Sequence, residues 1–170
     1  MKRRVTQEIA IFSMLGALMF ASKLLMEMLP NIHLVGVFTM AITLVYRAKA
    51  LYPLYLFVLL TGVYGGFNLW WIPYLYIWTI LWGVTMLLPK NMPKRIAPVV
   101  YAVVCGLHGF LYGTLYAPAQ ALMFGYDFKT TLAWIVGGLP FDLIHGVSNI
   151  VCAMLILPIT RAIRATDRDL

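Results

Sequence analysis

Charge is scarce in this chain, and acidic charge scarcest of all. Of 170 residues only 11% are charged, with 6 Asp or Glu set against 13 Lys or Arg. A soluble domain usually carries about one quarter charged residues. Cysteine is nearly absent: Cys105 and Cys152 both lie in apolar runs, and no Cys-x-x-Cys occurs. That excludes a secreted disulfide scaffold and a cysteine-based metal site. No phosphate-binding Walker loop is present, so ATP hydrolysis by that route is excluded. There is no Gly-x-Ser-x-Gly elbow and no His-Glu-x-x-His helix. No filter-like sequence or ring of acids points to a channel. No clear inverted repeat points to a stand-alone alternating-access transporter.

What the chain has instead is apolar surface. Hydrophobic residues make up 62% of it, and the mean hydropathy is +0.86. A 19.2 kDa globule keeps much of its surface wet and has no room to hide so much. The net charge of +7 then reads as the orientation code of a membrane protein, not as a nucleic-acid footprint.

A bilayer-crossing helix needs about 20 mostly apolar residues. Charged, Pro and Gly punctuation divides the chain into six candidates. The first runs from Gln7 to Leu29, the second and shortest from Ile32 to Tyr46, and the third from Leu51 to about Gly65. The fourth runs from Trp70 to Leu88, the fifth from Ala97 to Phe124, and the sixth from after Phe128-Lys129 to Ile159. The N-terminal stretch is too long for a removable signal peptide and holds Lys23 and Glu27. With both termini inside, Lys2, Arg3, Arg4, Arg47, Lys49, Lys90, Lys94, Arg95, Arg161, Arg164 and Arg168 all fall on the cytoplasmic side, leaving only Lys23 and Lys129 outside. The positive-inside rule asks for this asymmetry. The expected fold is an all-α membrane protein: a compact bundle of six transmembrane helices, N-in and C-in, forming one domain over residues 1–170.

Three groups of residues inside the spans carry possible chemistry. Ser13, Ala17 and Ala21 recur every fourth residue on one helix face. Small residues at this spacing let another helix approach closely. Spacing alone favours a neighbour within the same chain over a docking stripe for another protein. Lys23 and Glu27, at i,i+4, are expected to pair or to snorkel to the interface. His108, Asp142 and His145 lie at mid-span depth, where ionisable groups are costly and face the interior. They suit a proton relay, a metal site, the polar lining of a ligand cavity, or a clamp that only fixes packing. Their spacing matches no known metal-ligand motif.

The outer ends of the spans are rich in aromatic and amide groups. Asn31, His33, Asn68, Trp70, Trp71, Tyr74, Tyr116 and Gln120 gather there, with Tyr76, Tyr112 and Trp134 nearby. An aromatic belt is the default explanation. Mixed with Asn, His and Gln, however, the set also suits a pocket for a flat, partly polar organic molecule.

A small, basic, six-helix chain with Ala17-Leu18-Met19-Phe20-Ala21 in its first helix resembles the S component of an energy-coupling factor (ECF) transporter. The resemblance covers the whole layout, and its local mark is the Ala-x-x-x-Ala motif. It implies that Ser13, Ala17 and Ala21 dock on a separate transmembrane coupling protein, reversing the preference that spacing gives. Two cytoplasmic ATPase subunits would supply energy, and the chain itself would be no enzyme and hold no cofactor or metal. It also implies a vitamin as cargo and a bacterial cytoplasmic membrane as location. The stretch from Leu69 to Trp78, with Tyr116-Ala117-Pro118-Ala119-Gln120, looks most like the cobalamin-type S component. Folate, pantothenate and a queuosine precursor remain open as cargoes. An intramembrane enzyme using His108, Asp142 and His145, and a membrane scaffold without a ligand, remain as readings from other classes.

Overall fold

The computed structural model describes residues 2–168, with side chains from residue 5 to residue 166. The side chains of Lys2, Arg3, Arg4 and Arg168, which enter the charge asymmetry above, lie outside that range. The described residues form helices α1 (Lys2–Leu25), α2 (Val35–Tyr46), α3 (Leu51–Gly65), α4 (Tyr74–Leu87), α5 (Ala97–Phe110), α6 (Tyr112–Phe124), α7 (Phe128–Cys152) and α8 (Ile156–Arg168). Short 3-10 turns at Arg47–Ala50, Leu69–Trp71 and Ala153–Leu155 join some of them. No strand occurs among the described residues. Among the described residues, four helical stretches are long and apolar enough to cross a membrane: Val5–Leu25, Val35–Gly65, Ala97–Phe124 and Phe128–Thr166.

The stretch from Val35 to Gly65 is a hairpin and not one rod. His33, just before α2, and Phe57, in the middle of α3, both meet the Trp78 ring, at 5.6 and 6.2 Å between centroids. A continuous helix would hold them about 36 Å apart at its rise per residue. The reversal falls at Arg47, whose φ of 54° lies outside the helical region. Its carbonyl accepts the Trp82 indole N–H at 3.1 Å, and its guanidinium donates to the Met86 carbonyl. Later legs also alternate in direction. Tyr55 and Val58 of α3 meet Leu75 and Trp71 beside α4. Ile77 meets His108, while Cys105 and Gly113 meet Asn149 and Asp142 of α7.

α2 is the axis of the bundle. Ten consecutive residues from Val35 to Leu44 are buried, as expected of a helix apolar on all sides. At 12 residues it is only about 18 Å long. It starts at Val35, not at the expected Ile32, because Asn31 takes a positive φ of 63° and residues 32–34 run on as loop. This segment dips between the helices, and the Asn31 carbonyl accepts the Ser148 hydroxyl at 3.3 Å.

Other boundaries differ from the expectation for local reasons. α1 ends at Leu25 and Glu27 lies in the turn beyond it. The ion pair among the described residues is Lys49–Glu8, at 2.7 Å, and not Lys23–Glu27. Trp70 and Trp71 sit in a 3-10 turn, and α4 begins after Pro73, a residue suited to a helix start. The fifth stretch breaks at Leu111 into α5 and α6. The sixth continues past Ile159 through a 3-10 turn into α8.

Glycines allow close helix contacts in the bundle. α1 packs on α3 through Gly16, where a side-chain carbon would lie 2.9 Å from the Pro53 carbonyl. α5 packs on α7 through Gly109, where such a carbon would lie 2.7 Å from the His145 carbonyl. Arg47, Lys49 and Arg164 share one end, Arg164 donating to the Leu44 carbonyl at 3.5 Å. The outward surface is apolar: Leu25, Met28, Leu87, Leu122 and Phe128 are each more than four-fifths exposed. So much exposed apolar surface marks a membrane or protein contact.

Candidate functional site

In the half of the bundle away from Arg47, Lys49 and Arg164, a pocket of about 300 Å³ opens between α6, α7 and the dipping loop. Asn31 comes from the loop; Tyr112, Gly113, Tyr116 and Gln120 come from α6; Trp134, Gly138, Phe141, Asp142 and His145 come from α7. Three of the eight residues expected from the sequence therefore line it: Asn31, Tyr116 and Gln120. The structure joins them to Asp142 and His145, which the sequence placed in a separate, deeper group.

The break at Leu111 explains Asp142. There α5 ends and α6 begins, which frees backbone N–H groups at the new N-terminus. The Gly113 N–H donates to Asp142 Oδ1 at 2.8 Å. A carboxylate at a helix start also meets the positive end of the helix dipole. A side-chain carbon on residue 113 would sit 2.7 Å from Asp142 Oδ2, so glycine is what admits the carboxylate. The other oxygen, Oδ2, is buried and has no partner. The Asp142 bond goes to the backbone and not to His145 or His108, because the helix break supplies a free N–H there.

Aromatic rings form two walls. Tyr116 stacks on Trp134 at 5.9 Å and 20°, and Tyr112 stacks on His145 at 4.7 Å and 25°. The Tyr116 hydroxyl donates to the Trp70 carbonyl at 2.9 Å. Gln120 Oε1 is buried without a partner.

Of the remaining expected residues, His33, Trp70 and Tyr74 belong to the aromatic cluster around Trp78 beside the pocket, and Trp71 and Asn68 lie apart from it. His33 lies 5.1 Å from the His145 ring and meets Trp78 edge-on. Tyr74 stands between Trp70 and Trp78. Trp71 donates its indole N–H to the Val58 carbonyl at 2.8 Å and meets Phe67 edge-on. Asn68 is exposed in the turn before Leu69. His108 donates from Nε2 to the Ile77 carbonyl at 3.1 Å, tying α5 to α4. All three histidines thus border one aromatic cluster around Trp78 and Tyr112. No hydrogen bond links His108, Asp142 and His145 to one another among the described residues, and none of those residues form a group of three that suits a metal ion.

At the other half, α1 turns Phe12, Gly16 and Met19 inward and leaves Ser13, Ala17 and Ala21 exposed. Ala17 and Ala21 line an apolar groove of about 690 Å³ between α1, α2 and α8, with Met14, Leu18, Phe38 and Ile163. Ser13 faces a neighbouring groove beside Glu8, Lys49 and Tyr52. The contact within the chain that spacing favoured for this stripe is made by Gly16 instead.

Sequence reasoning noticed Trp134, Asp142 and His145 without joining them to the pocket. It missed Gly138 and Phe141 altogether, and the Gly113–Asp142 pair with them. The only signal was the depth of Asp142 in its span, since ionisable groups at that depth tend to face a cavity. Comparison with protein-family models, with curated proteins and with solved structures yields no match.

Proposed function

We propose that this chain is the substrate-binding S component of an ECF-type transporter in a bacterial cytoplasmic membrane. In this reading six legs cross the bilayer, with both termini and the cluster of Arg47, Lys49 and Arg164 in the cytoplasm. The observation that carries it is the exposed stripe of Ser13, Ala17 and Ala21. Ala17 and Ala21 border an apolar groove that no part of the described chain fills. Small side chains there leave room for the backbone of a partner helix, here a transmembrane coupling protein. Two cytoplasmic ATPase subunits would drive transport, since the chain carries no nucleotide-binding loop of its own.

The pocket beside Asp142 would hold the cargo, a vitamin or a related precursor. Cobalamin rests on the resemblance of residues 69–78 and 116–120; folate, pantothenate and a queuosine precursor are the alternatives.

Ala17→Trp and Ala21→Trp test the docking role. Both side chains are exposed, so each variant should fold and melt like the parent. Copurification with a coupling protein and two ATPases, and cargo uptake by cells, should both fall. Normal assembly and uptake with both tryptophans in place would sink the reading.

A further inference from the structure

We propose that the pocket between α6 and α7 selects a small, flat aromatic cation whose N–H groups bond to Asp142. The ligand would be one or two rings in size, with an amidine-like edge. The assignment rests on the transport reading only in calling this ligand the cargo; the binding chemistry stands on the pocket itself.

Donors and acceptors are unbalanced there. Asp142 lines the pocket, is 3% exposed, and keeps Oδ2 unpartnered. Gln120 Oε1 is a second buried acceptor without a partner, and His145 Nδ1, also on the lining, is a third buried polar atom without one. The Tyr116 hydroxyl is already engaged with the Trp70 carbonyl. Buried acceptors left unmatched cost stability, and a carboxylate costs most. A ligand that brings N–H donors and positive charge matches both.

Charge excludes the opposite class. Among the described residues no Lys or Arg lines the pocket. A carboxylate or phosphate ligand would meet Asp142 with no cation to offset the repulsion.

Shape and size follow from the walls. Tyr112, Tyr116, Trp134, Phe141 and His145 supply aromatic rings to the lining, and aromatic rings attract flat aromatic groups and cations. A volume of about 300 Å³ lies at the lower end of small-molecule sites. It suits one or two rings.

The anchor is also fixed in advance. Oδ1 is held by the Gly113 N–H, so the carboxylate need not be ordered when the ligand arrives. Preorganisation of this kind raises affinity.

The test uses the purified full chain in lipid nanodiscs and isothermal titration with three near-isosteric probes. Benzamidine is the flat cation, benzamide the neutral form and benzoate the anion. Benzamidine should bind best and benzoate should not bind. Asp142→Asn keeps an oxygen for the Gly113 N–H but loses the charge, and should weaken benzamidine about 10- to 100-fold. Gly138→Leu should abolish binding, because residue 138 lines the pocket and a side-chain carbon there meets nothing within 4 Å. Gly137→Leu is the matched control: it too has open space, lies outside the lining, and should bind like the parent.

Equal binding of benzamidine and benzoate, no binding of benzamidine, or an unchanged affinity in both Asp142→Asn and Gly138→Leu would overturn the proposal. Tight cyanocobalamin binding without benzamidine binding would overturn this ligand class and leave the transport reading standing. Benzamidine binding by a chain whose Ala17→Trp and Ala21→Trp variants assemble and transport normally would do the reverse.

Discussion

Asp142 of α7 accepts the Gly113 backbone N–H at 2.8 Å, where α5 gives way to α6. One carboxylate oxygen thereby caps a helix that starts inside the bundle, and the other is left at the pocket. Removing the side chain leaves a buried N–H without an acceptor. Asp142→Ala should destabilise the chain by about 1–3 kcal/mol, whereas Asp142→Asn should recover most of that. Melting curves of the purified variants, followed by tryptophan fluorescence, check the order.

Gly109 and Gly83 should respond in opposite ways to an added methyl group. At Gly109 a side-chain carbon would meet the His145 carbonyl at 2.7 Å, while at Gly83 it meets nothing within 4 Å. Gly109→Ala should cost about 1–3 kcal/mol by forcing α5 from α7. Gly83→Ala lies inside α4 and should stabilise by about 0.5–1 kcal/mol, because alanine has less backbone freedom to lose. Paired thermal melts decide; equal effects would show that α5 and α7 do not meet there.

Asp127 caps α7, accepting the Thr130 N–H at 2.7 Å. Those hydrogen bonds hold its carboxyl below the ordinary 3.8. A group whose folded value is depressed stabilises above its unfolded value and loses that contribution as pH falls through the folded one. The cap should therefore hold at neutral pH and fade on acidification below the usual aspartate range. Asp127→Asn should show a smaller difference in melting temperature between neutral and acid pH than the parent.

Single cysteines placed at Asn68, Asp127 and Asn91 test the direction of the bundle. With Cys105 and Cys152 replaced by serine, an impermeant maleimide added to intact cells should label positions 68 and 127 and spare position 91. Asn31, also placed on the outer side by the sequence, should label slowly, because its loop dips between the helices. Fast labelling at 91 would reverse the orientation.

Helical class was legible in the sequence because it depends on composition and local punctuation. A chain with 62% hydrophobic residues, broken by Pro30-Asn31, Gly65-Gly66 and Gly125 and without short alternating strands, is left with helices to satisfy its backbone in an apolar medium. The exposed stripe of Ser13, Ala17 and Ala21 was legible as a pattern, since side-chain size every fourth residue is a local property. Which of two adjacent stripes would meet α3 was not. Gly16 and Ala17 differ by one methyl group and about 100° around the helix, and only the approach of Pro53 and Leu56 distinguishes them.

Composition and punctuation alone make the chain helical, give it stretches able to cross a membrane, and put His108, Asp142 and His145 near the middle of them. Packing across the bundle decides that α2 starts at Val35 and is buried on every side, that Asp142 caps α6 at Gly113, and that the pocket takes Asn31, Tyr116 and Gln120 but not Asn68 or Trp71. The reason is physical. In a soluble helix the polar face fixes the rotation about the axis. Here nearly every face is apolar, so rotation and depth are set by close packing and by the few polar groups that must find partners across the bundle.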